Sequence, residues 1–106
     1  MKKLTEQQTI DRKARVVFSE NVQRRLAEIE ENPHWLMLQT GDTTNRFYPA
    51  IRGETNLSAG FIARVAAVLR CKVDELIPVT DIVPTRMLNP PPPSKKKLAR
   101  NLKNSA

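Results

Sequence analysis

The stretch NPHWLMLQTGDTTNRFYPAIRG, from Asn32 to Gly53, carries the signals for two short helices joined by a tight turn. Asn32 can cap the first helix, with Pro33 at the first helical position, where the missing N–H of proline costs nothing. Gly41 follows about two turns later, where a helix end requires a residue that tolerates a positive φ. The first helix is therefore predicted to end at Gly41.

A second short helix is predicted after this turn. Thr43 or Thr44 can cap it, Asn45 and Arg46 lie in its first turn, and Gly53 ends it. Two short helices around a glycine turn, with small polar residues at the start of the second, are the pattern of a DNA-reading helix-turn-helix.

The composition predicts a single small all-α domain with a tail. The chain has 106 residues, of which 40% are hydrophobic and 27% charged, so a packed core is possible. No stretch contains the run of about 18 apolar residues that a membrane span needs, and the N-terminus lacks the apolar segment of a secretory signal. One cysteine cannot form an internal disulfide, which fits a reducing cytosol.

The positive charge of the chain is concentrated at its end. The net charge is +7, and residues 86–106 hold six basic residues and no acid. The remaining 12 basic and 11 acidic residues give residues 1–85 a net charge of +1. The high isoelectric point therefore describes the tail and does not by itself predict nucleic-acid binding by the folded part.

Helical spacing of apolar residues divides the N-terminal third into two predicted segments. Residues 1–19 form an N-terminal helical extension, opened by a possible capping box at Thr5 and Gln8. Ser19 could cap a fresh helix, or the chain could run straight through it. Residues 20–78 form the main domain, whose first amphipathic helix ends before Pro33.

Helix signals continue after Gly53 and then give way to proline. Ser58 can cap a largely apolar, central helix, and a short helix over residues 71–77 is stopped by Pro78. Residues 79–89 have alternating apolar content and a proline, which predicts an edge strand or an extended arm. Residues 90–106 are read as a stiff proline spacer followed by a flexible basic tail.

Residues 20–77 resemble the lambda-repressor-like (Cro/repressor-type, XRE) helix-turn-helix family. Gly41 is similar to the family's turn glycine, and Ile51-Arg52-Gly53 is similar to the end of its second helix. The motif Ala66-x-x-Leu69-x-x-x-Val73-Asp74-Glu75-Leu76 looks like the family's closing helices. The implied fold is an all-α, five-helix lambda-repressor-like domain, here with an extra N-terminal helix and a flexible basic tail.

Three positions depart from the family pattern. Leu36-Met37 stands where the family usually has Leu-Ala, which could change the packing angle of the next helix. Pro49 lies within the second helix and can kink or shorten it. Arg70 stands where the family has a C-capping glycine.

The resemblance implies a role for each exposed polar residue of this region. The bases would be contacted by Thr44, Asn45, Arg46 and Tyr48, since asparagine pairs with adenine and arginine with guanine. The DNA backbone would be contacted by His34, Thr43, Arg52, Thr55 and Asn56. The tail residues Lys95, Lys96, Lys97 and Arg100 would add phosphate contacts, or would only keep the protein in solution.

Apolar and reactive residues of the same region have plainer interpretations. Phe47 and Ile51 should point into the core, and Trp35 is favoured as a packing residue over a contact. Cys71 is expected to be a small buried hydrophobe. His34 is either a phosphate contact or simply exposed, and Tyr48 is either a base contact or a packing residue at the surface. No catalytic set, metal site or cofactor site is predicted, so the protein is not expected to be an enzyme.

These features favour a sequence-specific, double-stranded DNA-binding regulator. We expect a bacterial or phage repressor, located in the cytoplasm of the bacterial cell or infected host, that binds a palindromic operator as a homodimer. The dimer contact would come from the N-terminal helix or, preferably, from residues 79–89. The alternatives are a protein-interaction module with the same fold, such as an antitoxin-type partner or phage adaptor, and a non-specific nucleic-acid binder driven by the tail.

Overall fold

The computed structural model describes residues 3–91, and within that range the chain is all-helical. The first helix, α1, spans Glu6–Glu28. It opens with the predicted capping box: the Gln8 N–H donates to Thr5 Oγ1 at 3.1 Å, and the Thr5 N–H donates to Gln8 Oε1 at 2.9 Å. These reciprocal bonds satisfy donors that a helix start otherwise leaves without partners.

Of the two possibilities left open at Ser19, the structure confirms the second: α1 runs without interruption through Ser19, so the extra N-terminal helix is the first part of α1. The Ser19 side chain is buried, and its Oγ accepts a hydrogen bond from Gln23 Nε2 at 3.1 Å. A serine satisfied within the helix has no need to cap a new one. Where six helices were expected, residues 3–91 contain seven, and the last three are single turns.

The two short helices predicted around Gly41 are present. Helix α2 spans Pro33–Thr40 and α3 spans Thr44–Ile51. Gly41 has φ 76° and forms the end of α2, with its N–H donating to the Met37 carbonyl at 3.1 Å. Helix α3 continues through Pro49, which neither ends nor splits it.

Helix α4 spans Ala59–Leu69 and α5 is a single turn over Val73–Leu76. Ser58 caps α4 as predicted, since its Oγ accepts from the Phe61 N–H at 3.1 Å. Arg70 ends α4 in the left-handed conformation, with φ 54°. A non-glycine residue in this conformation costs about 1–2 kcal/mol, so the glycine expected from the resemblance would suit the backbone better.

The core lies between α1, α2, α3 and α4. Its fully buried side chains include Phe18, Leu36, Phe47 and Val65, and the rings of Phe18 and Phe61 stand 5.9 Å apart. The buried residues of this core are Phe18, Val22, Leu26, Leu36, Met37, Phe47, Ala50, Ile51, Phe61, Val65, Ala66, Leu69 and Leu76. Trp35 and Cys71 are partly buried against this core.

Residues 79–89 do not form the predicted strand or extended arm. They fold as two single helical turns, α6 over Val79–Ile82 and α7 over Thr85–Leu88. Helix α6 packs against α1, and Ile82 is buried, with 7% of its surface exposed. Apolar residues that would be exposed on a free arm are thus partly covered by the chain's own first helix.

Two polar contacts fix the direction of this segment along α1. Asn21 Nδ2 donates to the Leu76 carbonyl at 2.9 Å, and Arg86 of α7 pairs with Glu6 at the start of α1. The chain from α5 to α7 therefore runs back along α1 toward its N-terminus.

None of the helices in residues 3–91 combines the length and the apolar character needed to cross a membrane. The basic residues Lys95, Lys96, Lys97 and Arg100 lie outside the described residues.

Candidate functional site

Helix α3 buries one side and leaves its first turn in solvent. Phe47, Ala50 and Ile51 are 0%, 7% and 3% exposed, which confirms the predicted inward direction of Phe47 and Ile51. Thr43, at the N-cap, is exposed, as are all three residues of the first turn, Thr44, Asn45 and Arg46. The apolar spacing of α3 therefore orients its polar start outward.

The first turn of α3 has few internal polar partners. Thr43 makes no side-chain capping bond, although its carbonyl accepts the Phe47 N–H at 2.8 Å. Within residues 3–91, the side chains of Asn45 and Arg46 form neither a hydrogen bond nor an ion pair. The side-chain donors of Asn45 and Arg46, at a helix start without a side-chain cap, are therefore available to an external acceptor such as a phosphate.

Residues farther along α3 are less available. Tyr48 is half-buried, and its ring stands edge-on to that of Phe47 at 5.4 Å between centroids. Arg52 is exposed, but its Nε lies 2.6 Å from a carboxylate oxygen of Glu54, which partly neutralises it. To contact a ligand, Tyr48 would have to give up its packing against Phe47, and Arg52 its ion pair with Glu54.

His34 lies apart from the α3 residues, in the first turn of α2. It is exposed, and Asn32 caps the same turn by accepting the Trp35 N–H at 2.9 Å. This confirms the predicted cap and shows that the orphan donors of α2 are already partly satisfied, in contrast to those of α3.

An open cleft of about 360 Å³ separates α3 from the start of α4. Four of the predicted site residues line it: Asn45 and Arg46 from α3, and Thr55 and Asn56 from the loop that follows. The other five predicted site residues do not line it: His34, Thr43, Thr44, Tyr48 and Arg52. The predicted residues thus divide between this cleft and the surfaces beside it.

The loop on one side of the cleft is tied to α1 through Arg15. Its Nε donates to the Gly53 carbonyl at 3.3 Å, and its Nη1 donates to Asn56 Oδ1 at 2.9 Å. Gly53 has φ 77°, and a Cβ at this position would lie 3.0 Å from the Arg15 carbonyl oxygen. Only glycine allows this approach, so Gly53 sets where the loop lies relative to α1.

The cleft is also lined by two charged residues that sequence reasoning missed. Asp42 lies in the turn before α3, and its Oδ1 is 3.0 Å from Nη2 of Arg64 on α4. The second oxygen, Oδ2, is buried and has no partner among the described residues. One sequence signal was present: Arg64 is the sole charged residue of the otherwise apolar α4.

The remaining reactive side chains give no second cluster in the described part of the chain. No group of three or more His, Cys, Asp or Glu residues in positions 3–91 is arranged to hold a metal ion. Cys71 is half-buried, and its pKa is raised by burial and by the Glu75 carboxylate, against the opposing effect of Arg25. The thiol is therefore held in its neutral form at ordinary pH.

Comparisons with protein families, with curated proteins and with solved structures found no match to this chain.

Proposed function

We propose that this protein is a sequence-specific double-stranded DNA-binding regulator of the lambda-repressor-like type, with α3 as its reading helix. The observation that carries the proposal is the orientation of α3. Its buried side is fixed by Phe47, while the exposed first turn offers Asn45 and Arg46, whose side chains form no hydrogen bond or ion pair within residues 3–91.

The chemistry of this turn suits the edges of base pairs in a major groove. Asparagine can pair with adenine through two hydrogen bonds, and arginine with guanine, at about 1–3 kcal/mol of discrimination for each contact. Thr43, Thr55 and Asn56 lie beside this turn or along its cleft, where they could contact the DNA backbone. The separation into base-contacting and backbone-contacting residues is the one that the resemblance implies.

A homodimer on a palindromic site completes the proposal, since one small domain buries little DNA. The docked segment α6–α7 offers the dimer contact in place of a free arm, because Val79 and Met87 are 52% and 41% exposed. Occupancy of a promoter by this dimer would repress transcription. The basic residues after Pro93 would add affinity that falls with salt and carries no sequence information.

The test is selection from a random duplex pool at near-physiological salt with three proteins: the intact chain, an Asn45→Ala/Arg46→Ala variant and a Gln7→Ala/Lys13→Ala control. The control removes one amide and one positive charge from exposed positions on α1. We expect the intact chain and the control to select one inverted repeat, and the α3 variant to select none. Motif selection by all three proteins would refute the assignment of α3.

A fourth protein, truncated after Asn89, separates the domain from the tail. If the truncated chain selects the same repeat more weakly, the tail is auxiliary. If the intact chain holds DNA without any motif and truncation removes all binding, the protein is a non-specific binder driven by its tail.

A second candidate function is a protein-interaction module, and charge pairing near the site favours it. Arg52 and Arg64 are each paired with an acid, and residues 1–85 carry a net charge of only +1. Leu38 of α2 is also 62% exposed, which suits a protein surface more than a phosphate backbone. If none of the four proteins retains duplex DNA, the result favours the protein-interaction function.

A further inference from the structure

We infer that Arg64 is a DNA-phosphate contact and that Asp42 is the residue that positions it. This inference rests on the proposed function and extends it to a residue outside the helix-turn-helix segment. The occupant of the cleft between α3 and α4 would be a phosphodiester of the duplex that α3 reads.

Two contacts hold the guanidinium of Arg64 at the cleft. Nη2 pairs with Asp42 Oδ1 at 3.0 Å, and Cζ lies 5.9 Å from the centroid of the Phe61 ring. The ion pair and the aromatic face together direct a flexible side chain back toward the start of α4.

The burial of the two partners is unequal, which indicates which one is available to a ligand. The Asp42 side chain is only 12% exposed, whereas that of Arg64 is 48% exposed. Arginine has five N–H donors, and this ion pair engages one of its nitrogens. Asp42 therefore acts from inside the protein, while Arg64 keeps donors for a partner outside it.

The charged residues of the cleft favour an anion. Arg46 and Arg64 line it with a single acid, Asp42, which gives these three residues a net charge of +1. Amide and hydroxyl groups from Asn45, Thr55 and Asn56 line the same space. Two guanidinium groups with neutral donors form a setting that binds a phosphate through charge-assisted hydrogen bonds.

Asp42 and Arg64 must be removed together to test the contact cleanly. Arg64→Ala alone would leave a buried carboxylate without its compensating charge and could unfold the protein. The double variant Asp42→Asn/Arg64→Ala removes both charges, and Arg64→Lys keeps the charge but loses the planar fork. Asp42→Asn alone keeps Arg64 and removes only its ionic partner.

The experiment measures the affinity of each variant for the duplex selected by the intact chain, over a range of salt concentrations. We expect the double variant to bind about tenfold more weakly. Its log–log salt slope should be smaller by about one unit, with the selected motif unchanged. Asp42→Asn should weaken binding while keeping the slope, because Arg64 remains but is no longer aligned. Arg64→Lys should also keep the slope.

Three results would overturn the inference. An unchanged affinity and slope in the double variant, with motif loss in Asn45→Ala/Arg46→Ala, would refute the role of Arg64 while leaving the proposed function intact. Equal binding of inorganic phosphate and duplex, seen as competition at millimolar phosphate, would assign the cleft to a free anion. If the intact chain retains no duplex DNA, the proposed function itself is refuted, and the inference with it.

Discussion

Helices α2 and α3 are both eight residues long and are joined by residues 41–43, yet they are stabilised in different ways. Helix α2 is capped at both ends. At its start Asn32 accepts a hydrogen bond from the Trp35 N–H, and at its end Gly41 adopts the left-handed conformation. Helix α3 has no side-chain cap and contains Pro49, so packing must hold it. Helix α3 is therefore held by its buried face, which leaves its polar first turn exposed.

The largest effect should come from removing the packing of α3. Phe47 is fully buried, so Phe47→Ala should lower the free energy of unfolding by about 3–5 kcal/mol through lost burial and a cavity. Urea unfolding followed by circular dichroism measures this change. Leu38→Ala on α2 is the matched control, because Leu38 is 62% exposed and its loss should change stability by less than about 0.5 kcal/mol. Similar losses of stability in both variants would contradict the conclusion that packing of its buried face holds α3.

The next effect has the opposite sign and comes from restoring a hydrogen bond within α3. Pro49 has no N–H to donate to the Asn45 carbonyl, and its ring crowds that carbonyl. Pro49→Ala should therefore raise the free energy of unfolding by about 1–3 kcal/mol. Thermal unfolding would show this as a higher midpoint. A lower midpoint would mean that the proline ring contributes more through packing than the missing bond costs.

A smaller effect should distinguish the caps of the two helices. Asn32→Ala removes the bond to the Trp35 N–H and should lower the free energy of unfolding by about 1 kcal/mol. The same urea titration applies. Asn32→Ser keeps a capping oxygen and should restore most of the loss. A failure of serine to restore stability would show that the bond to Asn32 does not secure α2.

The smallest effect on stability should come from Thr43→Ala at the start of α3. Thr43 makes no side-chain capping bond, so stability should change by less than about 0.5 kcal/mol. Affinity for the selected duplex should nevertheless fall, because the hydroxyl is a candidate phosphate contact. A stability loss equal to that of Asn32→Ala would show that both helices depend on their caps.

Local signals in the sequence predicted local structure well. Thr5, Asn32, Gly41 and Ser58 each mark a helix start or end that the structure contains, because capping depends on residues three or four positions apart. Ser19 shows the limit of such signals. Serine can cap a helix or lie inside one, and the packing around Ser19 decides between the two.

Contacts between distant segments could not be predicted in the same way. The Asp42–Arg64 pair joins residues 22 positions apart, and the Arg86–Glu6 pair joins residues 80 positions apart. Alternating apolar residues in 79–89 fitted a strand as well as a docked pair of helical turns, since only the presence of α1 beside them distinguishes the two. The exposure of Thr44, Asn45 and Arg46 on α3 was predicted correctly, whereas the half-buried place of Tyr48 and the two charged residues that also line the cleft were not.

The pair between Glu6 and Arg86 brings the two ends of the described chain to the same corner of the molecule. Proximity of this kind is what circular permutation requires. A short glycine-serine linker from Asn89 to Leu4 would join the ends, and new termini could be opened at Glu30 and Glu31, in the exposed connection between α1 and α2. Such a permutant would move both termini away from this corner and leave α2, α3 and the cleft beside α4 continuous in the chain.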